Sequence, residues 1–141
     1  MIKYIISIIA ILGLFINSVF AGGHKKIKVG MITTLSGGGS GLGIDVKDGF
    51  LLAVKGDKHF EVIVKDDQRK PDIAVQIADK MIQSDKVDVL TGIIWSNLAM
   101  AVVPAAVKQG KFYLSPNAGP SKLAGKGLSL IHISEPTRPT W

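Results

Sequence analysis

Residues 60–91 read FEVIVKDDQRKPDIAVQIADKMIQSDKVDVLT, and this stretch decides the fold class. Phe60–Lys65 is apolar without interruption through Val62, Ile63 and Val64, the pattern of a strand buried on both faces. Asp66–Lys70 is a polar loop, and Pro71 suits the first turn of a helix, where its missing N–H is no loss. Ala74, Ile77, Ala78, Met81 and Ile82 then recur at helical spacing, and Val87–Thr91 returns to a strand pattern. A strand, a helix and a second strand joined by short loops make a parallel crossover unit, which is right-handed in nearly all proteins.

The same alternation continues on both sides. Ile27–Thr33 (IKVGMIT) predicts a first strand and Leu35–Gly41 a glycine-rich loop. Leu42, Val46, Phe50, Ala53 and Val54 fall on one helical face, with Asp45, Lys47, Asp48 and Lys55 opposite and Gly56 as the stop. Asn97–Gln109 predicts a third helix, with Leu98, Ala101, Val102, Ala105 and Ala106 on its buried face and Gly110 as its cap. Pro104 conflicts with that helix and should kink it or shorten its first half. Phe112–Leu114 predicts a fourth strand. The order βαβαβαβ gives an α/β fold, a parallel sheet with helices on both faces. Ligands of such sheets bind at the carboxyl ends of the strands, which places interest on residues 34–43, 66–70, 92–97 and 115–120.

The N-terminus predicts export. Lys3 is the only charge in the first 20 residues, Tyr4–Phe15 reads YIISIIAILGLF, and Val19 and Ala21 supply the small residues of a cleavage site after Ala21. The alternative, an uncleaved anchor, fits less well because the apolar run is short and lacks a stop-transfer flank. A lipid anchor on cysteine is excluded, since the 141 residues contain no cysteine, and disulfide and thiolate chemistry are excluded with it. His24, His59 and His132 have no metal-ligand spacing. The formal charge of +6 is spread along the chain, with Lys25, Lys26 and Lys28 its only cluster, so nucleic acid is not an expected partner.

Three strings are specific in combination: IKVGMITTLSGGGSGLGIDVKDGFLLAV (27–54), VIVKDDQRKPDIAVQIADKMIQSDKVDVLTG (62–92) and AVVPAAVKQGKFYLSPNAGPSKLAG (101–125). The chain resembles, over about Ile27–Lys126, the opening of type I periplasmic binding proteins of the branched-chain amino acid (leucine-binding) family. That resemblance implies two α/β lobes closing over a small carboxylate, an amino acid or an aromatic acid. It further implies delivery of that ligand to the permease subunits of an ABC transporter, with no catalysis and no cofactor. It implies a periplasmic location, with no stable membrane insertion once the leader is removed. Residues 22–127 are then the first part of lobe 1. Leu128–Arg138 (LSLIHISEPTR) matches, residue for residue, the translation of a common tagmentation sequencing adapter, so 128–141 is expected to be a non-native tail.

By the same resemblance Ser96 would place its hydroxyl on the ligand carboxylate, beside the orphan N–H groups of the third helix at Asn97. Ser96 would serve equally as an ordinary N-cap. Asn117, Ala118 and Gly119 would offer backbone and polar groups to the ligand, and Gly119 stands where amino-acid binders often carry threonine, which favours an aromatic acid. Trp95 would either wall the pocket or pack between helix and sheet. Ser36 lies in a glycine-rich rim without phosphate-loop spacing. Asp66 and Asp67 are read as a solvated loop rather than a metal or phosphoryl site. The competing functions are a sensor domain of the same fold, a Rossmann- or flavodoxin-like enzyme, and a receiver domain. Export and the missing phosphate fingerprints weigh against the last two.

Overall fold

The computed structural model describes residues 25–123. The expected leader (1–21) and tail (128–141) lie outside the described residues. The elements run β1 (Ile27–Thr33), α1 (Ser40–Ala53), β2 (Phe60–Asp66), α2 (Pro71–Gln83), β3 (Val89–Thr91), α3 (Ser96–Lys108) and β4 (Phe112–Leu114). All strand pairs are parallel and the sheet order is β2-β1-β3-β4. The chain therefore reverses its direction of travel across the sheet once, between β2 and β3, the position where α/β sheets open a crevice at the strand ends.

Strand parity puts the helices on opposite faces. A side chain at Gly30 would meet Met81 of α2 together with Leu90 and Val87. One at Gly43 of α1 would meet Thr33 and the Thr34 carbonyl. Gly30 and Thr33 are three apart on β1 and so point to opposite sides. Under α2 and α3 lies the main core, with Ile32, Met81, Leu90, Ile93, Leu98 and Val102 all buried and packed together. Burying each such aliphatic side chain contributes about 1.5–3 kcal/mol.

The other face differs from expectation. Gly43 is the one buried residue of α1, while Leu42 and Ala53 are exposed and Val46, Phe50 and Val54 are half-buried. The reason is steric. A Cβ at Gly43 would lie 2.0 Å from the Thr34 carbonyl oxygen, so α1 rests backbone to backbone on the end of β1. The contact stripe is consequently Gly43, Val46, Phe50 and Val54, and Leu42 and Ala53 are rotated off it.

The helix ends follow local rules. Pro71 sits at the start of α2 with Asp72 in the first turn, where a carboxylate favours the helix dipole. Gly110, at φ 71°, closes α3: its N–H donates to Val107 O at 2.9 Å and the Lys111 N–H donates to Ala106 O at 3.0 Å, the paired bonds of a Schellman motif. Pro104 does not shorten α3, which runs from Ser96 to Lys108. Pro104 is exposed, on the side where water can satisfy the carbonyl that loses its amide partner.

Candidate functional site

Three of the four loops at the carboxyl edge of the sheet converge on one indole. Trp95 precedes α3 in an extended conformation (φ −99°, ψ 135°) and occupies the N-cap position. Its Nε1–H donates to Thr34 Oγ1 at 2.9 Å, and the Thr34 hydroxyl donates to Asp67 Oδ1 at 2.7 Å. The same Asp67 oxygen accepts the Arg69 backbone N–H at 2.8 Å. Arg69 then folds back, its guanidinium carbon 3.9 Å from the centroid of the Trp95 ring and its Nη1 donating to Gly38 O at 3.2 Å. Gly39, at φ 85°, completes the ring of contacts, because a Cβ there would lie 2.4 Å from Trp95 Cζ2. One side chain thus joins the loops after β1, β2 and β3. The loop after β4 is attached separately, through Asn117 Nδ2 donating to Ile94 O at 2.9 Å and the Ser115 hydroxyl donating to Ala118 O.

The paired aspartates are structural and are not a solvated loop. Asp67 has no exposed surface, and its Oδ2 is buried without a partner among the described residues. Burial pushes its carboxyl above the ordinary carboxylate range, against the hydrogen bonds from Thr34 and Arg69, and the neighbouring Asp66 charge adds to the rise. At Asp66 burial also acts upward, but it is outweighed. The Ser36 hydroxyl and the N–H groups of Leu35, Gln68 and Ser36 donate to the carboxylate and hold it below its usual value. Asp66 Oδ1 lies 2.8 Å from Leu35 N and 2.9 Å from Gln68 N, so this carboxylate fastens the β1 loop to the β2 loop. The turn that follows stores strain, since Gln68 (φ 52°) and Arg69 (φ 60°) both take the left-handed conformation that side chains disfavour.

Ser96 is the first residue of α3 rather than its cap, and no side chain caps the helix. Ser96 and Asn97 are exposed, and the first N–H groups of an α-helix have no acceptor within its own turns. Asn117 and Gly119 are exposed in the β4 loop and Ala118 is buried. Ser36 is exposed in the β1 loop and is engaged with Asp66. Every residue selected from sequence therefore lies at one edge of the sheet, and Asn117 is tied to the residue before Trp95. Thr34, Asp67 and Arg69 were missed. Two consecutive threonines ending an apolar strand, followed later by two consecutive aspartates ending another, were the available signal. Among the described residues no three His, Asp or Glu side chains converge to hold a metal ion.

The arrangement offers hydrogen-bond donors at the start of α3, an indole clamped edge and face, and a guanidinium above it. No curated protein matches this chain. Solved structures do. An ABC transporter substrate-binding protein from Sphaerobacter thermophilus is 30% identical with a TM-score of 0.66, over 70% of this chain and 28% of that one. A solute-binding protein of an ABC transporter from R. palustris, crystallised with benzoate, is 35% identical with a TM-score of 0.62, over 67% of this chain and 28% of its own. Another from Rhodopseudomonas palustris BisB5, in complex with 3,4-dihydroxybenzoic acid, is 33% identical with a TM-score of 0.65, over 68% and 28%. The chain spans less than a third of the length of each. A family profile described as periplasmic binding protein matches residues 26–131, three quarters of the sequence, and the chain belongs to that family.

Proposed function

We propose that this chain forms the first part of the extracytoplasmic substrate-binding component of an ABC importer, and that the ligand is a small carboxylate. No helix among the described residues is long and apolar enough to cross a membrane. The observation that carries the reading is the start of α3. It lies at the carboxyl edge of a parallel sheet, lacks any side-chain cap, and presents Ser96 and Asn97 to solvent. Uncapped helix N–H groups and their dipole suit an anion, and a serine hydroxyl beside them adds a second kind of donor. Two of the similar solute-binding proteins hold benzoate and 3,4-dihydroxybenzoic acid in their crystals, which favours an aromatic acid over an aliphatic amino acid here. Gly119 is consistent with that preference, because it brings neither a hydroxyl nor bulk at its own position in the β4 loop. The permease subunits of the transporter are the implied protein partners, and the leader at 1–21 is the implied route of export.

The test is calorimetric titration, with leucine, benzoate and a phenylpropanoid acid, of the two-lobe binding protein that this proposal makes the chain a part of. Ser96→Ala removes one charge-assisted hydrogen bond and is expected to cost about 1.5–3 kcal/mol, roughly one to two decades of affinity. A variant that binds every identified ligand as tightly as the parent would place the anion elsewhere.

A further inference from the structure

Arg69 is a cation held in a fixed pose with most of its donors unused. Its backbone is anchored to Asp67 by a 2.8 Å hydrogen bond, its ring-facing side lies 3.9 Å from the Trp95 centroid, and Nη1 reaches Gly38 O at 3.2 Å. A guanidinium carries five N–H donors in one plane, and only one of these is taken up. Two carboxylates stand two and three residues before it in sequence, yet neither meets its guanidinium. Asp66 accepts from Leu35 and Gln68, and Asp67 accepts from Thr34 and the Arg69 main chain. Among the described residues Arg69 makes no ion pair, although Lys25, Lys28, Lys47 and His59 all do. The turn that delivers it takes two left-handed residues, Gln68 and Arg69. Strained backbone that holds an exposed, pre-oriented fork of donors is characteristic of a recognition element.

Its position relative to the start of α3 completes the argument. The Trp95 backbone is the N-cap of α3, while its ring extends to Gly39 and carries Arg69 on its face. Trp95 therefore has a set of donors on each of its two parts, the helix N–H groups with Ser96 beside its backbone and the guanidinium over its ring. We propose that Arg69 takes a second carboxylate, so that this edge of the sheet is built for a dicarboxylate lying along Trp95. The inference rests on the assignment of the α3 N-terminus as the first anion position.

The ¹⁵N-labelled chain allows both positions to be read separately. It contains two arginines, Arg69 and Arg138, and two tryptophans, Trp95 and Trp141, so the side-chain N–H signals are assignable by substitution. Sodium adipate, sodium hexanoate and sodium chloride are titrated at matched ionic strength. Adipate is expected to move the Arg69 Nε–H and Trp95 indole signals along one saturable curve together with the Ser96 and Asn97 amides. Hexanoate is expected to move the amides alone, and chloride neither. Arg69→Gln should weaken adipate about tenfold, to the level of hexanoate, and leave hexanoate unchanged. Arg69→Lys, which keeps the charge and loses the fork, should fall between, and serves if the Gln variant loses its spectral dispersion. If the amides respond to both acids while the Arg69 signal stays still, the second position is overturned and the helix site stands. If Arg69 responds and the amides do not, the helix site is wrong and the two-point arrangement falls with it. An Arg69 shift of equal size in chloride also overturns the proposal.

Discussion

The two faces of the sheet are stabilised in different ways. Under α2 and α3, apolar side chains from three strands and two helices interdigitate, and Leu98, Val102, Met81 and Leu90 are all within 1% of complete burial. Under α1, contact is made by a glycine against a carbonyl. Leu42 and Leu52 remain 52% and 71% exposed, and Phe112 and Leu114 of β4 stand out from the same side at 39% and 46%. Both sides carry apolar side chains, but their use differs. One face is held by volume filled, the other by closeness of approach, and each should fail to a different kind of substitution.

The largest effects are expected where each face is most specific. Leu98→Ala should cost about 2–5 kcal/mol by leaving a cavity in the packed face, read from denaturant unfolding. Leu52→Ala, on the open face, should change stability by about 0.5 kcal/mol or less. Equal losses at the two positions would break the comparison. Gly43→Ala adds a single methyl, yet it should cost about 1–3 kcal/mol, because the obstacle is the Thr34 backbone. Gly30→Ala meets side-chain atoms of Leu90, Met81 and Val87 rather than backbone, and should cost less. Reversal of that order would show that α1 is held by something other than its approach to β1.

A middle-sized effect tests the cluster that sits across the edge of both faces. Thr34→Val removes the donor to Asp67 and the acceptor of Trp95 while keeping shape, leaving two buried polar groups short of a partner. A loss of about 1–3 kcal/mol is expected. Trp95 emission should change with it, measured in a Trp141→Phe background.

The adjacent aspartates give the subtlest test, because their linkage to pH has opposite signs. Asp66 is held below its ordinary value, so its contribution is present above the unfolded value and fades as pH falls through the folded one. Asp67 is raised, so the folded chain binds its proton more tightly than the unfolded chain does. Its contribution is greatest in acid and is lost as pH rises from the unfolded value through the folded one. Asp66→Asn should therefore lower stability at pH 7 and lose that effect in acid. Asp67→Asn should flatten the profile on the neutral side, without a loss at pH 7. Chemical denaturation between pH 3 and pH 7, settings chosen to bracket the carboxylate range, separates the two.

Sequence periodicity was sufficient for the strands and poor for the contacts between them. β1 and β4 begin and end where the apolar runs do, and β2 extends one residue further, to Asp66. β3 starts at Val89 rather than Val87. Val87 is fully buried but lies before the ladder, and burial is all that an apolar residue reveals in sequence. The buried face of α3 was legible at Leu98, Val102 and Ala106, because a helix packed on a sheet follows its own repeat. α1 was misread, since a glycine contact carries no hydrophobic signal. At the site, the residues next to strand ends could be located by topology alone. Arg69 could not, because its partner Trp95 lies 26 positions away and meets it only through a turn with two left-handed residues.

Joining three loops through one indole also bears on how such a site can change over time. Thr34, Gly39, Asp67 and Arg69 each need Trp95 in its present place, and Trp95 needs them. A substitution at any one of the five devalues the other four, so these loops can drift only as a set, through intermediates less fit than either end. The β4 loop is exempt, being attached by the Asn117 amide and short-range bonds of its own. Single substitutions at residues 115–120 are therefore expected to leave the indole cluster intact, whereas a change within the cluster is expected to disturb all three of its loops.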